Sequence, residues 1–300
     1  MAKMMTLRMK PMMEGIISDS QSAFIPNRLL TDNILITAEV GHYLNRKQCG
    51  AIGWGALKLD MAKTYDRLSL LLQQVQTNCL VHGCRVTRGA PPISHLFFAD
   101  DSLLFFRANH QEANQIKNCL SIYESLSGQM VNYQKSSICY SRNTGEGNRD
   151  VVAQILGVVQ APNFGKYLGL PPFAGRNKRG AFAYIEDKIR QRIGSWSKKL
   201  LTQAGKEVLL KSVAQAMPTF SMGVFLLPSS TCTAIERTMN RYWWGSGTDR
   251  GIHWKAWDTL CIPKKYGGLG FKDLRAFNLA MLGKRVWRLL TKPDSLVARV

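Results

Sequence analysis

The stretch FFADDSLLFF, residues 97–106, constrains this chain more than any other. Two adjacent aspartates, Asp100 and Asp101, interrupt an apolar run that starts at Ile93 and resumes at Leu103. Short apolar runs joined by a polar break read as a β-hairpin, and aspartate suits the turn. A hairpin turn by itself accounts for the pattern. The preceding segments allow a second account. Residues 51–66, AIGWGALKLDMAKTYD, read as a strand ending near Asp60. The next stretch keeps helical spacing at Leu68, Leu71 or Leu72, Val75 and Cys79, with Gly83 as a stop signal. A strand, a crossover helix and a second strand give two parallel strands. The return strand of the hairpin fits between them, which is the split βαβ arrangement. Parallel strands end at one sheet edge, so Asp60 and Asp100 would meet there with Asp101 beside them. Clustered carboxylates are costly unless a cation neutralises them. Hard oxygen ligands suit Mg²⁺ or Mn²⁺. Two such ions serve phosphoryl transfer: one lowers the pKa of an attacking hydroxyl and the other steadies a leaving pyrophosphate.

Composition narrows the class. The chain has 300 residues, 45% of them hydrophobic, enough to fill one large core or two ordinary ones. No apolar run approaches the roughly 20 residues of a membrane span. The net charge is +20, and it is uneven: residues 1–150 carry 16 basic and 12 acidic groups, residues 151–300 carry 24 and 8. A basic second half points to a polyanion, nucleic acid first and an acidic membrane surface second. The N-terminal MAKMMTLRMKPMMEG has neither a continuous apolar core nor a small-residue cleavage site, so no secretory signal is read there. Seven scattered cysteines fit reduced thiols packed in a core. An intracellular protein is expected, in nucleus or cytoplasm ahead of an organelle.

The remaining periodicity is mostly helical. A helix is predicted from about Leu29 to the basic Arg46 and Lys47, and another over Glu112 to Ser127 with Ile116, Leu120, Tyr123 and Leu126 on one face. Residues 166–175, KYLGLPPFAG, look strand-like before two prolines. Phe182, Ile185, Ile189, Ile193, Trp196 and Leu200 form an amphipathic seam, followed by a second helix that stops before Pro218. In the aromatic 240–290 region, Trp243 and Trp287 are read as core. A domain boundary is expected near 175–180.

Seven segments, in order, resemble the reverse transcriptases of non-LTR (long interspersed element) retrotransposons, plant-type above all. QSAFIPNRLLTDNILI resembles the fingers motif, LKLDMAKTYDR the first catalytic palm motif, and ISHLFFADDSLLF the Asp-Asp palm hairpin. SGQMVNYQKSSI resembles the next palm segment and KYLGLPPFAGR the primer-grip region. LLTQAGKEVLLKSVAQAMPTF and the RYWWG to FNLAML stretch resemble the thumb and connection. The resemblance implies an α+β fold: a fingers remnant over 1–50, a reverse-transcriptase-like palm over 51–175, and a helical, basic thumb and connection over 176–300. It implies an RNA-directed DNA polymerase ancestry, with an RNA template, a DNA primer, deoxynucleoside triphosphates and two Mg²⁺ or Mn²⁺ ions as partners. By position, Asp60 and Asp100 would be metal ligands with Asp101 beside them as the third catalytic carboxylate. Tyr65 would be the steric gate against a ribose 2′-hydroxyl. Arg28 would lie near the triphosphate, and Lys135 in the palm segment that reaches the pyrophosphate. Arg28 also reads as a helix-start cation, Lys135 as a solvated loop lysine, Tyr65 as core, and Asp66 as a helix cap outside the metal set.

The chain departs from the family in one place that matters. Only 34 residues separate Asp66 from Asp100, where the family carries a longer stretch with a Gly-Gln-Gly-Asp-Pro type segment that positions template and nucleotide. At ~3.3 Å per residue the gap does not stop the chain recrossing a sheet. The wall that positions the base would be missing, and positioning supplies much of such catalysis. An internally deleted copy, truncated at both ends, with little or no polymerase activity is the expectation. Thr64 stands where the family usually has alanine.

Lys188, Arg190, Arg192, Lys198, Lys199, Lys206 and Lys211 lie mostly off the apolar seam, opposed by Glu186, Asp187 and Glu207. A solvated charged face is one reading. Contact with a nucleic-acid backbone is the other, since a solubility surface mixes its signs more evenly. The competing function is therefore a non-catalytic basic nucleic-acid-binding protein derived from such an element. An organellar intron maturase shares the palm chemistry, but the thumb-like segments argue against it.

Overall fold

The computed structural model describes residues 2–300 apart from 10, 24, 26, 62–65, 164, 172–177, 198–200 and 246–251. The chain is α+β and divides into two compact units. The first comprises Met1–Phe173 with Lys292–Val300, the second Ala174–Thr291.

The first unit is built on a five-stranded mixed sheet. Its strands are β1 (Trp54–Asp60), β2 (His95–Phe98), β3 (Asp101–Arg107), β4 (Ser137–Tyr140) and β5 (Val159–Gln160), in the spatial order β2-β3-β1-β4-β5. β3 runs antiparallel to both β1 and β2, so β1 and β2 are parallel to each other with the return strand between them. β4 is antiparallel to β1, and β5 joins β4 in parallel. The helices of this unit include α1 (Leu30–Arg46), α2 (Asp66–Thr77), α3 (His110–Ser127) and α4 (Glu146–Leu156).

Period-two alternation decides what each sheet face does. Leu57, Leu59, Leu104, Phe106 and Ile138 point to one side and pack with Leu68 and Leu72 of α2, Ile116 and Leu120 of α3, and Val152 and Leu156 of α4. Fully burying each such side chain stabilises the unit by about 1.5–3 kcal/mol. The helix ends carry local signals. The Asn109 side chain accepts from the Glu112 N–H at 2.8 Å at the start of α3, and Gly128 takes φ 68° beyond its end. α2 stops at Thr77, short of Gly83, and Cys79 turns the chain with φ 56°. Leu126, expected on the apolar face of α3, is 60% exposed.

The β2 edge of the sheet is occupied. Phe97 of β2 donates its N–H to the Ser20 carbonyl at 2.8 Å and accepts from the Ser22 N–H at 3.2 Å. Asn33 of α1 holds this seam: it donates to the Phe97 carbonyl at 3.0 Å and accepts from the Ser22 hydroxyl at 2.7 Å. At the far edge, β5 is two residues long.

The second unit is helical. Its elements include α5 (Lys178–Ser197), α6 (Gln203–Leu209) running into a π turn over Leu210–Ala214, α7 (Ser229–Trp244), α8 (Trp257–Cys261) and α9 (Leu274–Thr291). The seam read from the sequence is its core: Phe182, Ile185, Ile189, Ile193 and Trp196 pack with Leu210, Ile235, Met239, Trp243 and Trp257. Leu200 lies outside the described residues. Asn278 of α9, fully buried, accepts from the Leu227 N–H at 2.8 Å and donates to the carbonyls of Met222 at 2.8 Å and Phe225 at 3.0 Å. Trp287, expected in the core, is 68% exposed on α9. The cysteines are free, and Cys84, Cys119, Cys139 and Cys232 are buried as expected; Cys49 and Cys79 are exposed.

Candidate active site

The β2–β3 hairpin and the end of β1 make one acidic edge. Phe98 pairs with Asp101, so Ala99 and Asp100 form a two-residue turn. Ala99 takes φ 54°, a region that glycine normally fills in such turns. Directly across the sheet, Asp60 pairs with Asp101. Residues opposite each other in an antiparallel pair share a face, with Cα atoms about 4.5–5.5 Å apart. The two carboxylates therefore leave the sheet on the same side, away from the helix-packed core, with Asp100 next to them in the turn. Neighbouring like charges are retained at a site that strains its backbone, and such conjunctions cluster at functional sites.

Three further groups frame this edge. The Asp60 N–H donates to the Ser136 hydroxyl at 3.1 Å, and the Asp60 carbonyl accepts from the Asn132 N–H at 3.0 Å. These bonds tie the 131–136 loop, and exposed Lys135 within it, to the end of β1. Lys58 lies two residues before Asp60, on the same face, and its ammonium donates to the Lys166 carbonyl at 2.6 Å. That bond anchors the 166–170 segment. The segment is a tight turn where a strand was expected: Tyr167 and Leu170 exchange two backbone hydrogen bonds of 2.9 and 3.0 Å, and Leu168 and Gly169 take φ 50° and 79°. The turn buries Tyr167 completely. Its hydroxyl makes no hydrogen bond of ordinary geometry among the described residues.

The electrostatics follow from this placement. Burial raises the Asp101 carboxyl above the usual carboxylate range; the Lys58 ammonium opposes that rise, and the Asp100 and Asp60 charges add to it. Burial also pushes the Tyr167 hydroxyl up, Asn33 opposes, and the Asp101 charge reinforces the rise. Three carboxylates and no soft ligand make a donor set suited to a hard divalent ion such as Mg²⁺ or Mn²⁺. Among the described residues, however, no group of three or more His, Cys, Asp or Glu side chains stands assembled around one point. The fold brings Asp60 and Asp101 opposite each other and leaves the third carboxylate in the turn.

The other predicted site residues sit as follows. Arg28 is turned inward: its guanidinium donates to the carbonyls of Ile17 at 2.8 Å, Gln21 at 2.6 Å and Ser18, and lies 3.5 Å from the Asp19 carboxylate. It stitches the 17–21 segment to the start of α1. Tyr65 lies outside the described residues, as do Lys198 and Lys199. Of the remaining basic set, Lys188 and Arg192 are exposed on α5, and Arg190 is exposed but paired to Glu186 at 2.5 Å. Lys206 and Lys211 are engaged internally. Lys206 donates to the Gly245 carbonyl at 2.7 Å; Lys211 donates to Glu207 at 2.7 Å and to the Leu269 carbonyl at 2.5 Å. Both are partly buried and hold the helical unit together. Lys58 and Tyr167 were missed in the sequence. Strand alternation could have found Lys58; nothing local marks Tyr167.

An α+β chain with paired carboxylates on one sheet edge and a basic helical unit is the class that fold and site define. Comparison with known proteins narrows it. No family model matches the chain. Over 128 residues, 42% of this chain, it is 34% identical to an Arabidopsis thaliana protein named "Putative ribonuclease H protein". Over 87 residues, 28% of the chain, it is 39% identical to an uncharacterized mitochondrial protein of the same plant. Over 344 aligned positions, 92% of the chain, it is 21% identical to the uncharacterized 149 kDa protein of transposon TX1 from Xenopus laevis. The chain spans 21%, 56% and 25% of these relatives' respective lengths. Those 344 positions exceed the 300 residues of the chain, so the TX1 protein carries residues within the matched span that this chain lacks. The likeness over nearly the whole chain is thus to a mobile-element protein. Among the described residues, no helix is long and apolar enough to cross a membrane.

Proposed function

We propose that this chain is a reverse transcriptase-like region of a non-LTR retrotransposon, with a palm over its first unit and a nucleic-acid-contacting thumb in its second. The observation that carries the reading is the Asp60–Asp101 cross-strand pair beside the Asp100 turn. Strand order β2-β3-β1, expected for a split βαβ palm, supports it. Asp60 and Asp100 would hold Mg²⁺ or Mn²⁺, which when bound neutralises the acidic edge and activates a primer hydroxyl. Asp101 sets the local charge, and Lys58 offsets it while anchoring the Tyr167 turn against the sheet. Lys135, exposed in the loop tied to the end of β1, would meet phosphate there. Lys188 and Arg192 offer sequence-independent contacts to a strand backbone.

The chain is impaired as a polymerase. The connection from α2 to β2 is short, and the extra aligned positions in the TX1 protein fit an internal loss. Primer extension on an RNA template with Mg²⁺ tests this. Little or no extension is the expected result. Processive synthesis that Asp100→Asn abolishes would overturn the impairment and keep the active-site assignment. Synthesis indifferent to Asp60→Asn and Asp100→Asn would overturn both. A second reading, a non-catalytic nucleic-acid-binding protein, is favoured by the exposed cations of α5, and oligonucleotide binding without extension is its signature.

A further inference from the structure

A second polar site lies in the first unit, away from the acidic edge. A cavity of about 450 Å³ is lined by Asn45 of α1, Tyr140 of β4, Arg142, Arg149 of α4, Gln160 and Asn163, among others. Its volume falls within the roughly 300–1,000 Å³ typical of small-molecule sites. Tyr140 pairs with Gly55, and Asp60 lies five residues further along β1, about 16 Å at the rise of a strand.

The hydrogen bonds around this cavity leave mostly donors to face it. The Asn45 carbonyl oxygen already accepts from Arg142 Nε at 3.0 Å, and the Asn163 carbonyl oxygen accepts from the Gly165 N–H at 2.8 Å. Each asparagine therefore has its amide N–H₂ group in hand. Arg149 is more pointed. Its Nε is buried and makes no hydrogen bond among the described residues, while one of its terminal nitrogens reaches only the Arg142 carbonyl at 3.5 Å. Nε itself is sealed from the cavity, so the terminal guanidinium nitrogens, held by that one long contact, are the donors left for a ligand. The backbone around it is fixed: Tyr140 donates its hydroxyl to the Arg149 carbonyl at 2.9 Å. Asp150 is the nearby acid, and Gln160 donates to it at 2.8 Å, which leaves the Gln160 amide oxygen as an acceptor. Two guanidinium groups and two amide donors match an anion with several oxygens, and the Gln160 oxygen offers a neutral acceptor beside it.

We propose that this cavity binds the phosphate ester of a nucleotide, with Arg149 and Arg142 on the phosphate and Gln160 on the neutral part. The ester comes from a free nucleotide or from the end of a nucleic-acid strand; the chemistry is shared. The site stands apart from the acidic edge and does not depend on its assignment.

Calorimetric titration of the whole chain tests it, with adenosine 5′-monophosphate, adenosine and a short oligothymidylate as probes. The monophosphate binds at least roughly tenfold tighter than adenosine, the effect of one charge-assisted contact. Asn163→Asp, an exposed substitution that puts a charge against the phosphate, weakens it by a similar factor with the circular dichroism spectrum unchanged. Arg142→Ala does likewise. Oligothymidylate binding that Asn163→Asp weakens assigns the ester to a strand; binding that it leaves alone, with the monophosphate still affected, assigns it to a free nucleotide. Equal affinity for monophosphate and adenosine, or indifference of the monophosphate to both Asn163→Asp and Arg142→Ala, overturns the proposal.

Discussion

Ala99 is the residue where backbone and function pull against each other. A side chain at φ 54° costs about 1–2 kcal/mol, and a glycine there would not. Ala99→Gly, after allowing for glycine's larger unfolded-state entropy, raises stability by about 1 kcal/mol, or the melting temperature by about 2–4 °C. Thermal denaturation followed by circular dichroism checks this, and an unchanged or lower midpoint would count against a strained turn. His95 gives a pH signature from the same hairpin. It is buried between the Ser69 hydroxyl at 2.7 Å and the Ser94 hydroxyl at 2.9 Å, and burial lowers its pKa from 6.5 to about 4. The unfolded chain protonates this histidine first as the pH falls. Its stabilising contribution is therefore complete above about pH 6.5 and is lost on the way down to about pH 4, a loss on the order of 3 kcal/mol. Urea midpoints measured across that range fall in the wild type, and His95→Gln flattens the slope. A slope that survives His95→Gln would assign it to other groups.

At the scale of elements, Asn278 does for the helical unit what a core side chain cannot. One buried amide satisfies a backbone N–H at Leu227 and two carbonyls at Met222 and Phe225. Asn278→Ala strands those groups, at about 1–3 kcal/mol for each one left buried without a partner. Equilibrium urea unfolding should show a loss of about 3 kcal/mol or more. A loss under about 1 kcal/mol would mean that water replaces the amide. Elements of this kind also mark what the sequence discloses. Strand, helix and hairpin over 54–107 were legible because alternation and helical period are local; the register was not, and in place of the expected meeting of Asp60 with Asp100 the strands pair Asp60 with Asp101 and leave Asp100 in the turn. The α5 seam was legible for the same reason. KYLG was misread because apolar residues at a tight turn look like a strand until φ is known. Trp287 was misread because helical spacing defines a face without saying what covers it. Lys206 and Lys211 were read as surface cations, but their acceptors, Gly245 and Leu269, lie 39 and 58 residues away in sequence. No local pattern encodes such partners.

At the scale of the whole molecule, charge dominates. With a net charge of +20, the chain should bind single-stranded oligonucleotides with an affinity that falls linearly on logarithmic axes as salt rises. Arg192→Glu, on the exposed side of α5, lowers both affinity and slope while shifting stability by no more than about 0.5 kcal/mol. Fluorescence anisotropy across a salt series checks this; a flat response would remove the nucleic-acid reading of the basic half. The two sheet edges bear on how such a chain behaves in concentrated solution. An uncovered strand edge templates pairing with another molecule, and short or covered edges suppress it. Here Ser20–Ser22 occupies the β2 side, and the β5 side offers a strand of two residues. Amyloid-type stacking therefore has no ready starting point on this sheet, and loss of Asn33, which holds the Ser20–Ser22 seam in place, is the change that would supply one.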